Sequence, residues 1–342
     1  MIRVLVAEDS TVVQKLIVSI LEREPGIRVA GVAENGARAV EMACSLKPDI
    51  ITMDIRMPKL DGFEATKQIM NCCPTPIVIV SASLPRDMDA TFSAVKAGAL
   101  MVIEKPRGLT SADYENTRST LVSTIKLMSA VRVVRRWHEG PIKPERLAMR
   151  KPSAKITTKI VAIGASTGGP SALSQVLRRL PKEFSVPILI VQHITPGFGG
   201  AFAEWLGGEA GLEITVPYSG MPLADNGVYL APDNYHMGVT AAGRIVLTQQ
   251  SNYNHHKPSV NHMFESVAKA YGAEAIGVIL TGMGEDGAYG LKELQLAGGR
   301  TIAQDEKTCV VFGMPKVAIS MGAADRVVPL EEVAGAILNL SE

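Results

Sequence analysis

The sequence predicts an α/β protein that consists of two doubly wound, mainly parallel sheets. Short apolar runs alternate with amphipathic stretches of helical period, which is typical of strands joined by crossover helices. The 342 residues are more than one hydrophobic core usually supports. A stretch rich in proline and basic residues interrupts the alternation before the middle of the chain. We therefore predict a flavodoxin-like domain over 1–124, a linker over 125–156 and a Rossmann-like α/β domain over 157–342.

The composition argues against several classes of protein. Apolar residues make up 46% of the chain and the formal net charge is +1, so nothing indicates nucleic acid as a partner. No apolar run reaches the ~18 residues of a membrane span, and the chain begins on a predicted strand rather than on a signal peptide. We expect a cytoplasmic monomer that does not insert into membranes.

The cysteines are Cys44, Cys72, Cys73 and Cys309. They follow no zinc-type spacing and are too few for a disulfide framework in a chain of this length. We predict four reduced thiols. A redox pair of the adjacent Cys72 and Cys73 is an alternative, although a disulfide between sequence neighbours is strained.

The first domain has five predicted strands, over 3–7, 29–32, 50–53, 77–80 and 100–103. Polar residues follow four of them, where the carboxyl ends of parallel strands meet at one edge. These residues are Glu8 and Asp9, Asp54, Ser81, and Lys105. They could be solvated loop residues, but their coincidence at one edge favours a site.

Three carboxylates at one edge would repel one another unless a cation lay among them. Mg²⁺ binds carboxylates together with phosphate oxygens, so we predict a Mg²⁺ site formed by Glu8, Asp9 and Asp54. Asp54 would accept a phosphoryl group, and Ser81 and Lys105 would bind its oxygens.

The segments around these residues resemble the receiver domains of bacterial two-component response regulators. The matching segments are Ala7-Glu8-Asp9-Ser10, Met53-Asp54-Ile55-Arg56-Met57-Pro58, Asp61-Gly62, Val80-Ser81-Ala82 and Glu104-Lys105-Pro106. The resemblance implies that a partner histidine kinase phosphorylates Asp54. It also implies a cis peptide bond before Pro106.

The predicted linker loses its apolar periodicity after Val134 and contains Pro141, Pro144 and Pro152. Basic residues outnumber acidic ones there, which is typical of a solvated tether. A docking strip around Trp137 for an acidic partner is the alternative.

A serine lies on a glycine-rich turn at the start of the second domain. The run from Ile160 to Ile163 predicts a buried strand, and a helical pattern resumes over 171–180. Between them, Gly164-Ala165-Ser166-Thr167-Gly168 fits the G-x-S-x-G turn that exposes a nucleophilic serine. A nucleotide cradle is less consistent with the sequence, because Ser166 occupies the second glycine of G-x-G-x-x-G and no G-K-[ST] follows.

A histidine and an aspartate follow two other predicted strands. His193 ends the strand over 186–192, and Asp286 lies in the glycine-rich turn after the strand over 275–282. Consecutive parallel strands usually lie side by side, so we expect His193 beside Ser166 as its base. Asp286, rather than the adjacent Glu285, is predicted to orient the imidazole because a short carboxylate suits a fixed hydrogen bond.

At this point the second domain resembles the chemotaxis protein-glutamate methylesterases, the CheB family. The matching segments are 163–170, Gln192-His193 with Pro196 and Phe198, Ala231-Pro232 through Met237, 256–261 and 281–287. The resemblance implies Ser166 as nucleophile, His193 as base and Asp286 as orienting acid. It also implies a Met283 oxyanion donor and demethylation of chemoreceptor glutamates with release of methanol, without a cofactor for the hydrolysis. Deamidation of receptor glutamines is the expected second activity.

Other residues of the second domain carry further expectations. Thr167, Met283 and His256 are predicted to lie on the oxyanion or substrate side of the site, with His256 in a substrate loop over 256–261. A metal cluster of His255, His256 and His262 is an alternative, although their spacing suits no familiar site.

The order of the domains suggests regulation. Together with the resemblance to the CheB family, a phosphorylatable domain ahead of a hydrolase implies that the first domain inhibits the second by covering it until Asp54 is phosphorylated. The rival hypothesis is a response regulator without enzymatic activity, whose second domain binds a partner or nucleotide at the glycine-rich turn.

Overall fold

The structure is a computed structural model that describes residues 1–81, 93–95, 97–106, 114–131, 133, 158–250 and 256–341. The chain divides into two compact units, Met1–Pro141 and Ile142–Glu342. Most of the predicted linker, including Trp137, lies outside the described residues. None of the helices in the described part of the chain has the length and apolar character needed to cross a bilayer.

The first unit contains a sheet of five parallel strands. They are β1 (Ile2–Ala7), β2 (Ile27–Ala33), β3 (Ile50–Met53), β4 (Ile77–Ser81) and β5 (Met101–Glu104). Their order is β2-β1-β3-β4-β5, which confirms the flavodoxin-like prediction. β1 and β3 lie side by side. The chain runs from β1 to β2 toward one edge of the sheet and from β3 to β4 and β5 toward the other. Ligands of such sheets bind beyond the carboxyl ends of the two strands at this switch point.

Four helices of the first unit are described in full, namely α1 (Thr11–Glu22), α2 (Gly36–Leu46), α3 (Gly62–Cys72) and α4 (Tyr114–Met128). Side-chain oxygens of Asn35 and Asp61 accept hydrogen bonds from the first turns of α2 and α3, as N-cap residues do. α4 buries Ile125 and Met128, so the last helix of this unit continues beyond the boundary predicted at residue 124.

The prediction of four reduced thiols and the prediction of a cis bond before Pro106 are both wrong. Cys44 in α2 and Cys73 after α3 form a disulfide, because the packing of these two helices brings together thiols that are 29 residues apart in the sequence. Cys72 and Cys309 are free, as predicted. The cis bond in the described residues precedes Pro258 rather than Pro106.

The second unit contains a sheet of seven parallel strands. They are β6 (Ile160–Ala165), β7 (Ile188–Gln192), β8 (Ile214–Thr215), β9 (Val228–Leu230), β12 (Ala275–Ile279), β13 (Arg300–Gln304) and β14 (Arg326–Val328). Their order is β14-β13-β12-β6-β7-β9-β8. An antiparallel hairpin of β10 (His236–Val239) and β11 (Ile245–Thr248) forms a separate small sheet.

The second unit also has six α-helices in the described residues. They are α5 (Gly169–Arg179), α6 (Gly199–Ala210), α7 (Val260–Tyr271), α8 (Ala288–Leu296), α9 (Met314–Ser320) and α10 (Leu330–Ser341). The central strands β6, β7 and β12 are buried at every position, as expected for a parallel sheet covered by helices. This core fixes the ends of β6, β7 and β12, which carry the predicted catalytic residues.

Candidate functional site

The serine turn begins where β6 ends. The main-chain N–H of Ser166 donates to Thr281 O (3.0 Å), and Gly169 N–H donates to Ser166 O (2.8 Å). Gly168 has a φ of +79° and caps α5, which explains why glycine stands there. These bonds place Ser166, which is buried, between the end of the strand and the first turn of a helix.

His193 directly follows the last residue of the neighbouring strand, β7. Ala165 of β6 pairs with Gln192 of β7, so Ser166 and His193 are each one residue beyond that pair. His193 N–H donates to Ala165 O (3.0 Å). The Gln192 amide donates to Ser166 O (2.8 Å) and His193 O (2.7 Å), which links the two main chains. The prediction that their strands are adjacent is therefore confirmed.

Asp286 contacts the imidazole of His193. The Nε2 atom of His193 lies 2.8 Å from Asp286 Oδ2, while Glu285 is exposed. With Nε2 hydrogen-bonded to the carboxylate, Nδ1 is the ring nitrogen that remains available for a proton from a hydroxyl group.

The carboxylate of Asp286 is held by the beginning of α7. Its Oδ1 atom accepts from the Ser259 hydroxyl (2.9 Å) and Asn261 N–H (3.0 Å), and its Oδ2 atom accepts from Val260 N–H (2.8 Å). A helix N-terminus favours a negative charge. Burial by itself would raise the pKa of Asp286, but the bonds to His193, Asn261 and Val260 outweigh burial and lower it to about 2.

The three predicted substrate-side residues have different environments. The ring of His256 stacks on that of His193, with centroids 4.4 Å apart and an interplanar angle of 15°. Met283 is half-buried, in the turn between β12 and Asp286. The Thr167 hydroxyl is buried and has no hydrogen-bond partner among the described residues.

The alternative histidine metal cluster finds no support in the described residues. His262 lies beside His236, with ring centroids 5.1 Å apart, whereas His256 stacks on His193. His255 lies outside the described residues. Burial and the nearby charges of His262 and Lys257 lower the pKa of His236 to about 4, so this histidine is neutral near pH 7.

The polar residues predicted in the first unit converge at the edge between β1 and β3. The Nζ atom of Lys105 lies 2.8 Å from Asp54 Oδ2 and 2.8 Å from Glu8 Oε2. Ser81 is buried at the end of β4, and its carbonyl accepts from Lys105 N–H (2.9 Å). The ammonium group therefore bridges the two buried carboxylates.

The electrostatics of this edge follow from burial and charge compensation. Burial raises the pKa of Asp54 and Glu8, although the bonds to Lys105 act in the opposite direction. Burial would lower the pKa of Lys105, but its two carboxylate partners outweigh this effect and raise it.

Glu8, Asp9 and Asp54 each offer a carboxylate oxygen within 4.8 Å of the other two. Glu8 and Asp54 are buried, and Asp9 is exposed. Three hard oxygen donors around one point, open to solvent on one side, fit Mg²⁺ together with a phosphate group.

Both units of the chain are similar to known protein families. Residues 161–337 match the family model described as CheB methylesterase, and residues 4–111 match the response regulator receiver domain. The protein-glutamate methylesterase/protein-glutamine glutaminase 1 of Syntrophus aciditrophicus is 47% identical over 100% of this chain and 99% of its own length. The chain belongs to the CheB methylesterase family.

Two further CheB relatives agree with this assignment. The protein-glutamate methylesterase/protein-glutamine glutaminase 4 of Myxococcus xanthus is 44% identical over 99% of this chain and 96% of its own length. The crystal structure of the Thermotoga maritima CheB methylesterase catalytic domain is 39% identical and matches with a TM-score of 0.52, covering 54% of this chain and 100% of that one.

Sequence reasoning missed the residues that support the predicted CheB triad. The sequence predicts that Ser259 and Asn261 belong to a substrate loop, whereas both bind Asp286. The sequence indicates Gln192 only as part of a matching segment, whereas its amide donates to the carbonyls of both Ser166 and His193. The available signal was the serine followed by a helical pattern over 260–271, which is typical of an N-cap.

Proposed function

We propose that this CheB family protein is a serine hydrolase that removes methyl groups from glutamate methyl esters of chemoreceptors and that phosphorylation of its receiver domain regulates it. The observation that carries the proposal is the 2.8 Å contact between His193 Nε2 and Asp286 Oδ2. This contact lies at the sheet edge where Ser166 and His193 follow paired residues of adjacent strands.

In the proposed reaction, Asp286 keeps the imidazole oriented with its Nε2–H toward the carboxylate. The His193 Nδ1 atom then accepts the Ser166 proton while Oγ attacks the ester carbonyl. Main-chain N–H groups of Thr167 and Met283 are proposed to stabilise the oxyanion. His193 protonates the departing methanol, and a water molecule activated by His193 hydrolyses the acyl-enzyme.

The same steps apply to a glutamine side chain. Its amide carbonyl has the shape of the ester carbonyl, and ammonia leaves in place of methanol. We therefore include deamidation of receptor glutamines as a second activity. His256, which stacks on His193, is proposed to contact the substrate side of the site.

In the receiver domain, Asp54 is the proposed phosphoryl acceptor. Glu8, Asp9 and Asp54 would hold Mg²⁺, which neutralises carboxylate and phosphoryl oxygens when bound. Lys105 and Ser81 would bind phosphoryl oxygens. A histidine kinase is the proposed donor, and we propose that the protein acts as a cytoplasmic monomer.

The test of the hydrolase is methanol release from methylated receptors by the full-length protein. Ser166→Ala should abolish release while Asp54 still gains one phosphoryl group from a small phosphodonor with Mg²⁺. Ser171→Ala, in the helix that follows the turn, is the matched control and should retain activity. Methanol release by Ser166→Ala at the wild-type rate would contradict the proposal.

The test of regulation uses the same assay with and without the phosphodonor. Phosphorylation should raise the rate of methanol release in the wild type, and Asp54→Asn should retain only the unstimulated rate. A wild-type rate that does not respond to phosphorylation would contradict the regulatory part and leave the hydrolase part intact.

A further inference from the structure

Three sulfur atoms lie together where α2 and α3 end, in the receiver domain. Cys44 and Cys73 form the disulfide that joins the two helices. The Sγ atom of Cys72 lies 3.2 Å from that of Cys44 and 3.4 Å from that of Cys73. The third sulfur is therefore in contact with both atoms of an existing disulfide.

The three cysteines differ in their access to solvent. Cys72 is exposed, whereas Cys44 and Cys73 are half-buried. A reagent in solution consequently reaches Cys72 first. Nothing in the proposed hydrolysis or phosphorylation uses any of these residues.

The main-chain geometry decides which pairs can form a lasting disulfide. The Cα atoms of Cys44 and Cys73 are 5.4 Å apart, within the usual range of roughly 4.4–6.8 Å. Cα atoms of consecutive residues are about 3.8 Å apart, so a bond between Cys72 and Cys73 is disfavoured. Oxidation that enters at Cys72 should therefore move to Cys44 on the neighbouring helix.

We propose that Cys44, Cys72 and Cys73 form a thiol–disulfide exchange site, at which Cys72 reacts with a low-molecular-weight disulfide and the Cys44–Cys73 bond is the final product. In the first step the reduced Cys72 thiolate attacks one sulfur of the small disulfide. A mixed disulfide forms on Cys72, and one small thiolate leaves with the electron pair and takes up a proton.

Two further exchanges complete the proposed sequence. The Cys44 thiolate attacks Cys72 Sγ, which forms the Cys44–Cys72 bond and releases the second small thiolate. The Cys73 thiolate then attacks Cys44 Sγ, which forms the Cys44–Cys73 bond and returns Cys72 as a thiolate. In total, two protein thiols are oxidised and one small disulfide is reduced to two thiols.

The experiment uses the full-length protein, fully reduced and then freed of reductant. Glutathione disulfide is added, free thiols are alkylated at intervals, and peptide fragmentation locates each modification. The wild type should carry glutathione transiently on Cys72 and should end with the Cys44–Cys73 disulfide and a free Cys72.

Variants separate the steps. Cys72→Ser and Cys72→Ala should each slow closure of the Cys44–Cys73 bond at least tenfold. Cys44→Ser should retain glutathione on Cys72. Cys309→Ser is the matched control and should close at the wild-type rate, because burial raises the pKa of the Cys309 thiol to about 12 and keeps it unreactive.

Three results would overturn the proposal. One is closure at the wild-type rate in both Cys72 variants. A second is a first glutathione adduct on Cys44 or Cys73. The third is binding of Zn²⁺ by the reduced protein with all three thiols protected and no reaction with glutathione disulfide, which would make the cluster a metal site instead.

Discussion

Asp54 and Asp286 are both buried aspartates beyond the ends of parallel strands, but their surroundings have opposite effects on their charge. Asp54 lies beside Glu8 and has Lys105 as its cationic partner, and burial raises its pKa. Asp286 accepts hydrogen bonds from a helix N-terminus, from Ser259 and from His193, which lower its pKa to about 2. The same position in a parallel sheet thus gives an aspartate two different electrostatic environments.

The difference agrees with the two proposed roles. A carboxylate that accepts a phosphoryl group needs cations beside it and must change its own charge state. A carboxylate that orients an imidazole must stay ionised and fixed throughout the reaction. Substitutions at one sheet edge should therefore leave the chemistry of the other edge as an internal reference.

The largest expected effect is that of Asp286→Asn. The amide removes the negative charge and disturbs the tautomer of His193, so the rate of methanol release should fall by about 10⁴-fold, as for similar triads. Phosphorylation of Asp54 should be unchanged. Glu285→Gln is the matched control on the exposed neighbour and should retain the wild-type rate. A loss of equal size in both variants would assign the effect to the turn rather than to the carboxylate.

Lys105→Met should have the next largest effect, on the other edge. Removal of one partner of a buried ion pair leaves Asp54 and Glu8 without compensation and destabilises a protein by about 3–5 kcal/mol. We expect the free energy of unfolding of the receiver domain to fall by this amount. We also expect slower phosphorylation. Unstimulated methanol release should persist at temperatures below the lowered unfolding transition. A receiver domain of wild-type stability would contradict the assigned bridge.

The contributions of Asp286 and Asp54 to folding stability should change with pH in opposite directions. The pKa of Asp286 is lowered from 3.8 to about 2, so its contribution is present above pH 3.8 and is lost as the pH falls toward 2. Its size is about 2 kcal/mol. The pKa of Asp54 is raised, so the folded state binds the proton more tightly, and stability falls as the pH rises through the window above 3.8. Calorimetry of wild type, Asp286→Asn and Asp54→Asn from pH 2 to pH 7 would measure both slopes, and slopes of the same sign would contradict this account.

The smallest expected effect is that of Ser259→Ala. The variant loses the N-cap hydrogen bond to His262 N–H and the hydroxyl donor to Asp286. Loss of a cap costs about 1 kcal/mol, and we expect a fall in the rate of methanol release of roughly tenfold, equivalent to about 1.4 kcal/mol. Ser259→Thr retains the hydroxyl and should restore most of both properties. If it does not, the effect is steric.

Local sequence patterns predicted several strands of both sheets and the polar residues that follow them. A buried apolar run followed by a polar residue located β1, β3, β6 and β7 and the residues after them. The adjacency of β6 and β7 followed from the rule that consecutive strands of such sheets pair. The short side chain of Asp286 in a glycine-flanked turn, together with the CheB resemblance, favoured it over Glu285.

Contacts between distant segments could not be predicted in the same way. The hydrogen bonds of Ser259 and Asn261 to Asp286 join residues that are 27 and 25 positions apart in the sequence. They depend on how α7 packs against the sheet. The Cys44–Cys73 bond depends on the packing of α2 against α3. The strands β8, β9, β13 and β14 and the hairpin of β10 and β11 were not predicted, since their sequences lack a long apolar run.

The most direct test of the central claim is to locate the nucleophile with a fluorophosphonate, which phosphonylates activated serines. We expect a single adduct, on Ser166, in the full-length protein. That adduct should be absent from Ser166→Ala and should form at a greatly reduced rate in His193→Ala and Asp286→Asn. An adduct on another serine, or labelling of Ser166 that is indifferent to His193 and Asp286, would contradict the account.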